Sequence, residues 1–239
     1  HFQPQLDLNT GKLCGAEALL RWNHPQSGYI SPADFIPVAE ETGQIIPIGN
    51  WVLRAACATM VEWRRQGMKP LRLAVNLSMR QLRDNRLAEQ VEMALQETGL
   101  SPDDVELELT EGIMLLDTQY AMGFLQKMHT LGVRLSIDDF GTGFSSLGYL
   151  KRMPLDKLKI DQSFVRDIET DENDASIVRS IIGLARRFKL RVIAEGVESQ
   201  QQLEFLREQG CDEIQGYYFS RPLPADEFAR FVKNNPSLL

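Results

Sequence analysis

Six residues restrict the fold of this chain more than any others: Val105-Glu-Leu-Glu-Leu-Thr110. They alternate strictly, with Val105, Leu107 and Leu109 on one face and Glu106, Glu108 and Thr110 on the other. In an open antiparallel sheet the polar face is simply wet. The surrounding order argues otherwise. Strand-like and helix-like segments alternate along the chain, which implies a parallel sheet covered by helices. The acidic face must then point into a barrel or crevice, with Glu111 just beyond the strand.

The rest of the chain fits that frame. Residues 2–8 and 13–22 read as strands joined by hairpin chemistry at Asn9-Thr-Gly-Lys12. Ser31 caps a helix that has Pro32 at its first position. Residues 49–66 read as an amphipathic helix with Trp51, Ala55, Ala58 and Val61 at helical spacing, its Trp and Met residues taken as core. Strands follow at 71–77, 133–137, 157–161, 191–195 and 213–216. Helices are expected at 86–98, 118–131, 174–188, 199–209 and 224–234, several stopped by glycine. With 239 residues and no internal repeat or linker, one α/β unit, a TIM-like (β/α)8 barrel, accounts for the pattern.

In such a barrel the carboxyl ends of the strands converge on one face, where active sites lie. Glu17, Asn76, Glu108, Asp138 with Asp139, Lys159 with Asp161, Glu195 and Gln215 all fall at or near predicted strand ends. Asp138 and Asp139 run straight into Gly141-Thr-Gly-Phe-Ser-Ser146. One alternative is that Asp139 merely caps a helix starting near Ser145. Several strand-end acids together would crowd a small space with negative charge. Oxygen ligands without His or Cys favour Mg2+ or Mn2+ over zinc. Two such ions suit in-line phosphodiester cleavage. Lys159 would hold the attacking hydroxide or offset charge on the transition state.

Other classes are disfavoured. The net charge is -7 and no basic tract is present, so duplex nucleic acid is not an expected partner. Cys14, Cys57 and Cys211 are odd in number and widely spaced, which indicates neither a disulfide framework nor zinc. No apolar run approaches the ~20 residues of a membrane span, and no signal peptide is visible. The chain opens at His1 on an apolar element, so it is expected to be a domain of a longer protein. A cytoplasmic location follows, compatible with an inner-membrane anchor elsewhere in that protein.

Beyond these physical readings, a set of motifs stands in order along the chain: Gln3-Pro-Gln5, Glu17-Ala-Leu19 with Arg21-Trp22, Asn76-Leu-Ser78, Glu108-Leu-Thr-Glu111, Asp138-Asp-Phe-Gly-Thr-Gly-Phe-Ser-Ser-Leu147, Lys159-Ile-Asp161, Glu195-Gly-Val-Glu198 and Gln215-Gly216. Each alone is weak. Together they closely resemble the EAL domain, the bacterial cyclic-di-GMP phosphodiesterase module, from end to end over residues 1–239. The resemblance implies a barrel whose first strand is antiparallel, hydrolysis of cyclic-di-GMP to linear pGpG, and two Mg2+ or Mn2+ ions, with Ca2+ inhibitory. It assigns Glu17, Asn76, Glu108 and Asp138 to one ion, and Asp138, Asp139 and Glu195 to the second. Lys159 corresponds to the group beside the attacking water, and Gln215 helps order that water. Gln3, Leu19, Arg21, Asn76 and Asp161 correspond to positions around the dinucleotide. Glu111 corresponds to the acid that anchors the loop after Asp139, and Glu198 to a supporting acid on the substrate side. The resemblance is also compatible with a homodimer and with fusion to sensor or diguanylate-cyclase domains. The family's customary helix ahead of Phe2 is not in this sequence.

Two competing readings remain. Some family members serve only as cyclic-di-GMP receptors, and pGpG production would distinguish an enzyme from those. A barrel lyase or isomerase of the enolase type also uses strand-end acids and lysines, but the Asp138-Asp139 pair with Asn76 and the Gly-Thr-Gly loop are not its pattern.

Overall fold

The computed structural model describes residues 1–115, 119–143 and 147–235. The helix start expected at Thr118 and the cap expected at Ser145 lie outside these residues. Strands β1 (Phe2–Asp7), β2 (Lys12–Ala18), the short β3 (Trp22–His24) and β4 (Gly28–Ile30), β5 (Arg72–Leu77), β6 (Val105–Thr110), β7 (Arg134–Phe140), β8 (Lys157–Ile160), β9 (Arg191–Ala194) and β10 (Glu213–Ile214) follow in order. Eight of them close into a barrel ordered β1-β10-β9-β8-β7-β6-β5-β2, while β3 and β4 form a separate hairpin. β1 is antiparallel to both neighbours, and the remaining barrel pairs are parallel. A tight turn permits that antiparallel start, whereas parallel neighbours need a crossover. The turn is organised by Asp7, whose Oδ1 accepts from the Asn9 and Thr10 amides at 3.1 and 2.9 Å. Gly11 supplies the positive φ of 66°.

Around the barrel run α1 (Pro32–Thr42), α2 (Ile45–Arg65), α3 (Leu87–Thr98), α4 (Gln119–Leu131), α5 (Leu147–Leu150), α6 (Gln162–Arg166), α7 (Glu172–Phe188), α8 (Gln200–Gln209) and α9 (Ala225–Asn234). Ser31 caps α1 as expected, accepting from the Ala33 amide. The reading of α2 has the right period and the wrong phase. Leu53, Ala56, Cys57, Met60 and Trp63 face the core, whereas Trp51 is 62% exposed. Trp63 stacks on Phe228 of α9, with Phe2 edge-on to it, so this aromatic cluster closes the seam beside β1. None of the helices among the described residues is long and apolar enough to cross a membrane.

The barrel interior carries charge at two depths. Near the amino ends of the strands, Lys157 Nζ sits 2.8 Å from Glu106 and 2.7 Å from Glu213. Arg72 reaches the same two acids at 2.9 and 2.6 Å. Arg191 adds a contact to Glu213 at 3.3 Å and one to Asp7 at 2.9 Å, so three cations face three carboxylates and the layer is balanced. Burial opposes ionisation of Glu106 and Glu213, but Lys157 and Arg72 outweigh it and hold both acids below the usual carboxylate range. Removing one partner strands the others. Lys157→Met is therefore expected to lower unfolding free energy by about 3–5 kcal/mol. Urea denaturation would measure this, and an unchanged midpoint would refute the balance argument.

Candidate active site

The opposite mouth is built from strand ends. Glu17 lies in β2, Asn76 in β5, Glu108 in β6, Asp138 and Asp139 in β7 and Lys159 in β8. Glu195 and Gln215 directly follow β9 and β10. A regular strand would send Asp138 and Asp139 to opposite faces. Here the register slips. Ile137 pairs with Leu158 and Phe140 with Ile160, so two residues of β7 oppose the single Lys159. Asp139 takes up the extra length with a left-handed backbone, φ 54°. This is a bulge, and it brings both acids toward one point. Oxygens of Asp138, Asp139 and Glu195 lie within 4.8 Å of one another, a separation suited to ligands of one cation. β7 thus runs three residues beyond its predicted end at Ile137, with both acids inside the strand.

Lys159 is fully buried at the centre. Its Nζ lies 2.7 Å from Glu195, 2.8 Å from Glu108, 3.1 Å from Asp138 and 3.9 Å from Glu17. Of the set expected around the other ion, Glu17, Glu108 and Asp138 are gathered around this ammonium, and Asn76 joins them through Glu17. Among the described residues only the Asp138-Asp139-Glu195 trio meets metal-ligand spacing.

A chain of amides orients Glu17. Asn76 Nδ2 donates to Glu17 Oε1 at 2.6 Å, leaving the Asn76 Oδ1 as the atom that could turn to a cation. Gln215 Nε2 donates to Glu17 Oε2 and, at 3.1 Å, to Gln3 Oε1. Gln5 Nε2 donates to Gln215 Oε1 at 3.0 Å. Gln5 received no role from the sequence, although it shares a strand face with Gln3 at a spacing of two.

Glu111 is buried and accepts from the Gly141 and Gly143 amides, both at 3.1 Å. Ser145 and Ser146 of the loop lie outside the described residues. Thr142 Oγ1 donates to the Asp139 carbonyl at 2.8 Å. Glu111→Ala is expected to preserve the fold but raise the Mg2+ concentration needed for half-maximal activity, since Asp138 and Asp139 lose the brace that aims them. Rate titrations against Mg2+, with melting temperature as control, test this; superimposable curves would exclude the role.

The remaining positions lie further out. Leu19 and Arg21 are half-buried just after β2, and Arg21 Nη1 donates to the Leu20 carbonyl at 2.9 Å. Gln3 Nε2 reaches the Ser220 carbonyl at 3.3 Å. Asp161 caps α6 by accepting from the Ser163 amide at 3.0 Å. Glu198 is exposed and outside the acidic trio. Gly196, with φ 69°, turns the chain after Glu195 against Gln162, where a Cβ would come within 2.5 Å of the Gln162 Cβ.

Unlike the lower layer, this one is not balanced. Glu17, Glu108, Asp138, Asp139 and Glu195 face one cationic group, Lys159. Burial pushes Glu195 up to about 8, assisted by Asp138 and Glu17. Burial and the charges of Asp138 and Asp161 push Asp139 up to about 6. Burial, with Glu17 and Asp138, also raises Glu108 well above the usual carboxylate range. Burial alone would lower the Lys159 pKa, but Asp138, Glu108, Glu17 and Glu195 hold it well above its ordinary value. Glu108 Oε1 is buried with no hydrogen-bond partner among the described residues. A hard divalent cation would supply what these oxygens lack.

A pH signature follows. Glu195 has an ordinary value of 4.5 and a folded value of about 8, so between those limits the folded protein binds more protons than the unfolded chain. This group therefore makes stability fall as pH rises through that window. Melting in EDTA should record the decline. Added Mg2+ should stabilise more at the upper end, because it binds the ionised acids. A flat Mg2+ effect across the window would contradict this.

A family model described as EAL domain matches residues 1–222. Among curated relatives, the cyclic di-GMP phosphodiesterase NbdA of Pseudomonas aeruginosa is 45% identical over 233 residues, 98% of this chain and 30% of its own length. The bifunctional diguanylate cyclase/cyclic di-GMP phosphodiesterase MucR of the same organism is 44% identical over 232 residues, 97% of this chain and 34% of its own length. The chain spans about a third of the length of these relatives. The solved structure of the PaMucR phosphodiesterase in complex with c-di-GMP superposes with a TM-score of 0.92 at 44% identity, covering 95% of this chain and 92% of that one.

Proposed function

The chain belongs to the EAL domain family, and we propose that it is an active, metal-dependent cyclic-di-GMP phosphodiesterase producing linear pGpG. The observation that carries this reading is the charge difference between the two layers of the barrel. The lower layer is neutral. Among the described residues the upper one sets five acids against one ammonium, and with all five ionised its formal charge would be -4, which two divalent cations would neutralise. A structural core has no use for such a deficit.

Asp138, Asp139 and Glu195 are suited to hold one ion. Glu17, Asn76, Glu108 and Asp138 would hold the other after small side-chain movements away from Lys159. When bound, such a pair supplies electrostatic stabilisation of phosphoryl oxygens and acidifies water. The chain's own groups do the rest. Lys159, buried among the acids with Glu108 at 2.8 Å and Glu195 at 2.7 Å, donates N–H bonds to oxygen that gains charge in the transition state. Gln215, fixed by Gln5, Gln3 and Glu17, orients the nucleophilic water. Glu111 holds the loop that aims Asp138 and Asp139. Gln3, Leu19, Arg21, Asp161 and Glu198 stand around the mouth where the dinucleotide would lie. The greater length of the relatives supports reading this chain as the phosphodiesterase module of a longer protein.

The test is direct. The purified protein is incubated with cyclic-di-GMP and Mg2+, Mn2+, Ca2+ or EDTA, and products are separated by chromatography. Appearance of pGpG with Mg2+ or Mn2+ and not with Ca2+ is expected, because Ca2+ prefers longer bonds and more ligands. Binding without product would favour the receptor reading. Full turnover in EDTA would overturn the metal mechanism.

A further inference from the structure

The segment after β10 carries a feature that neither the metal site nor the fold requires. Tyr217 and Tyr218 are both exposed, directly beyond Gln215. The guanidinium carbon of Arg221 lies 4.2 Å from the centroid of the Tyr217 ring, within stacking contact. Tyr218 meets Phe219 edge-on at 5.0 Å.

This segment is firmly held. The Tyr218 amide donates to the Val197 carbonyl at 2.9 Å, and the Ser220 amide to Gly216 at 3.3 Å. Leu223 exchanges two backbone bonds with Phe2, at 2.7 and 2.9 Å. The Ser220 carbonyl accepts from Gln3, which also touches Gln215 inside the site. Gly216 leaves no room for change, because a Cβ there would fall 2.0 Å from the Val197 carbonyl oxygen. Tyr217 and Arg221 are thus carried on a loop bonded to residues of the site itself, beginning two residues after Gln215.

We propose that Arg221, kept flat against Tyr217, is a specificity-determining residue that reads a guanine base of the dinucleotide. The inference rests on the phosphodiesterase reading above. Guanine presents two acceptors, O6 and N7, on one edge, and the planar Arg fork matches them. Adenine offers an N–H donor in place of O6 and would meet the same fork with donor against donor. A mobile exposed arginine loses much of its advantage to side-chain entropy. Stacking on Tyr217 removes that cost before the ligand arrives. Tyr217 is then a positioning residue, acting through its ring face.

The experiment is calorimetric titration in Ca2+ with cyclic-di-GMP and with cyclic-di-AMP, on the parent protein, Arg221→Ala, Arg221→Lys, Tyr217→Ala and Tyr217→Phe. Arg221→Ala is expected to weaken cyclic-di-GMP about tenfold or more while changing cyclic-di-AMP little, so the base preference contracts by the same factor. Arg221→Lys should restore little of it, because a single ammonium cannot make the fork. Tyr217→Ala should shift the preference in the same direction, and Tyr217→Phe should keep it. Equal loss for both dinucleotides with rescue by Arg221→Lys would make Arg221 a counter-charge for phosphate and overturn the proposal. Unchanged affinities would overturn it too. A parent protein that binds neither dinucleotide would instead refute the phosphodiesterase reading, and this inference with it. Melting temperatures of the variants control for folding.

Discussion

Asp138→Ala is expected to reduce cyclic-di-GMP hydrolysis to the uncatalysed background while leaving the metal-free protein at least as stable as the parent. The two halves have one origin. Asp138 belongs to the trio with Asp139 and Glu195 and also contacts Lys159 at 3.1 Å. It is the one acid assigned to both ions, so its loss removes a ligand from each. In the absence of cations, however, it is one negative charge too many. Deleting it relieves repulsion on Asp139, Glu108 and Glu195. Lys159 keeps Glu108 and Glu195 at 2.8 and 2.7 Å. Thermal melts in EDTA and with Mg2+ should show an equal or higher melting temperature in EDTA and loss of most of the Mg2+-induced rise. Wild-type rates in the variant would be fatal to the bridging assignment.

Lys159→Met also lowers turnover but reverses the sign of the effect on metal-free stability. Turnover should fall by about 10²–10³, the scale of losing one preorganised donor at developing charge. The metal-free protein should also lose about 3–5 kcal/mol, because Glu108 and its neighbours are left buried without their cation. Mg2+ should recover much of that stability, by supplying positive charge where the ammonium was. If titration shows substrate binding lost and turnover per bound substrate retained, Lys159 is a binding residue instead.

The limits of reading this site from sequence are physical. The Val105–Thr110 strand is legible to the residue, because strict alternation in a strand-helix order leaves a single interpretation. The convergence of Glu17, Glu108, Asp138, Lys159 and Glu195 was equally legible, since barrel topology brings strand ends together. The bulge at Asp138 and Asp139 was not. It is a relation between β7 and β8, and nothing local announces that two residues will oppose one. Lys157 and Lys159 share a strand face and a residue type, so only the depth of each within the barrel separates a structural cation from one in the site. The phase of α2 is ambiguous in the sequence because both of its faces carry apolar residues, so the exposed Trp51 reads as core in place of Leu53, alongside Met60 and Trp63, which are buried. The β3–β4 hairpin, three residues a strand and mostly exposed, lacks a pattern long enough to register.

The slip between β7 and β8 also makes the length of this strand a matter of parity. Side chains in a strand alternate, so removing one residue between Ile137 and Phe140 would restore regular pairing with β8. The same deletion would leave a single acid facing the interior and would pull the Gly141–Gly143 segment one step back from Glu111. A chain of this architecture can therefore exchange side chains along β7 far more readily than it can gain or lose a residue there. Relatives that keep both carboxylates but differ by one position in this strand would carry the same letters with the opposite geometry.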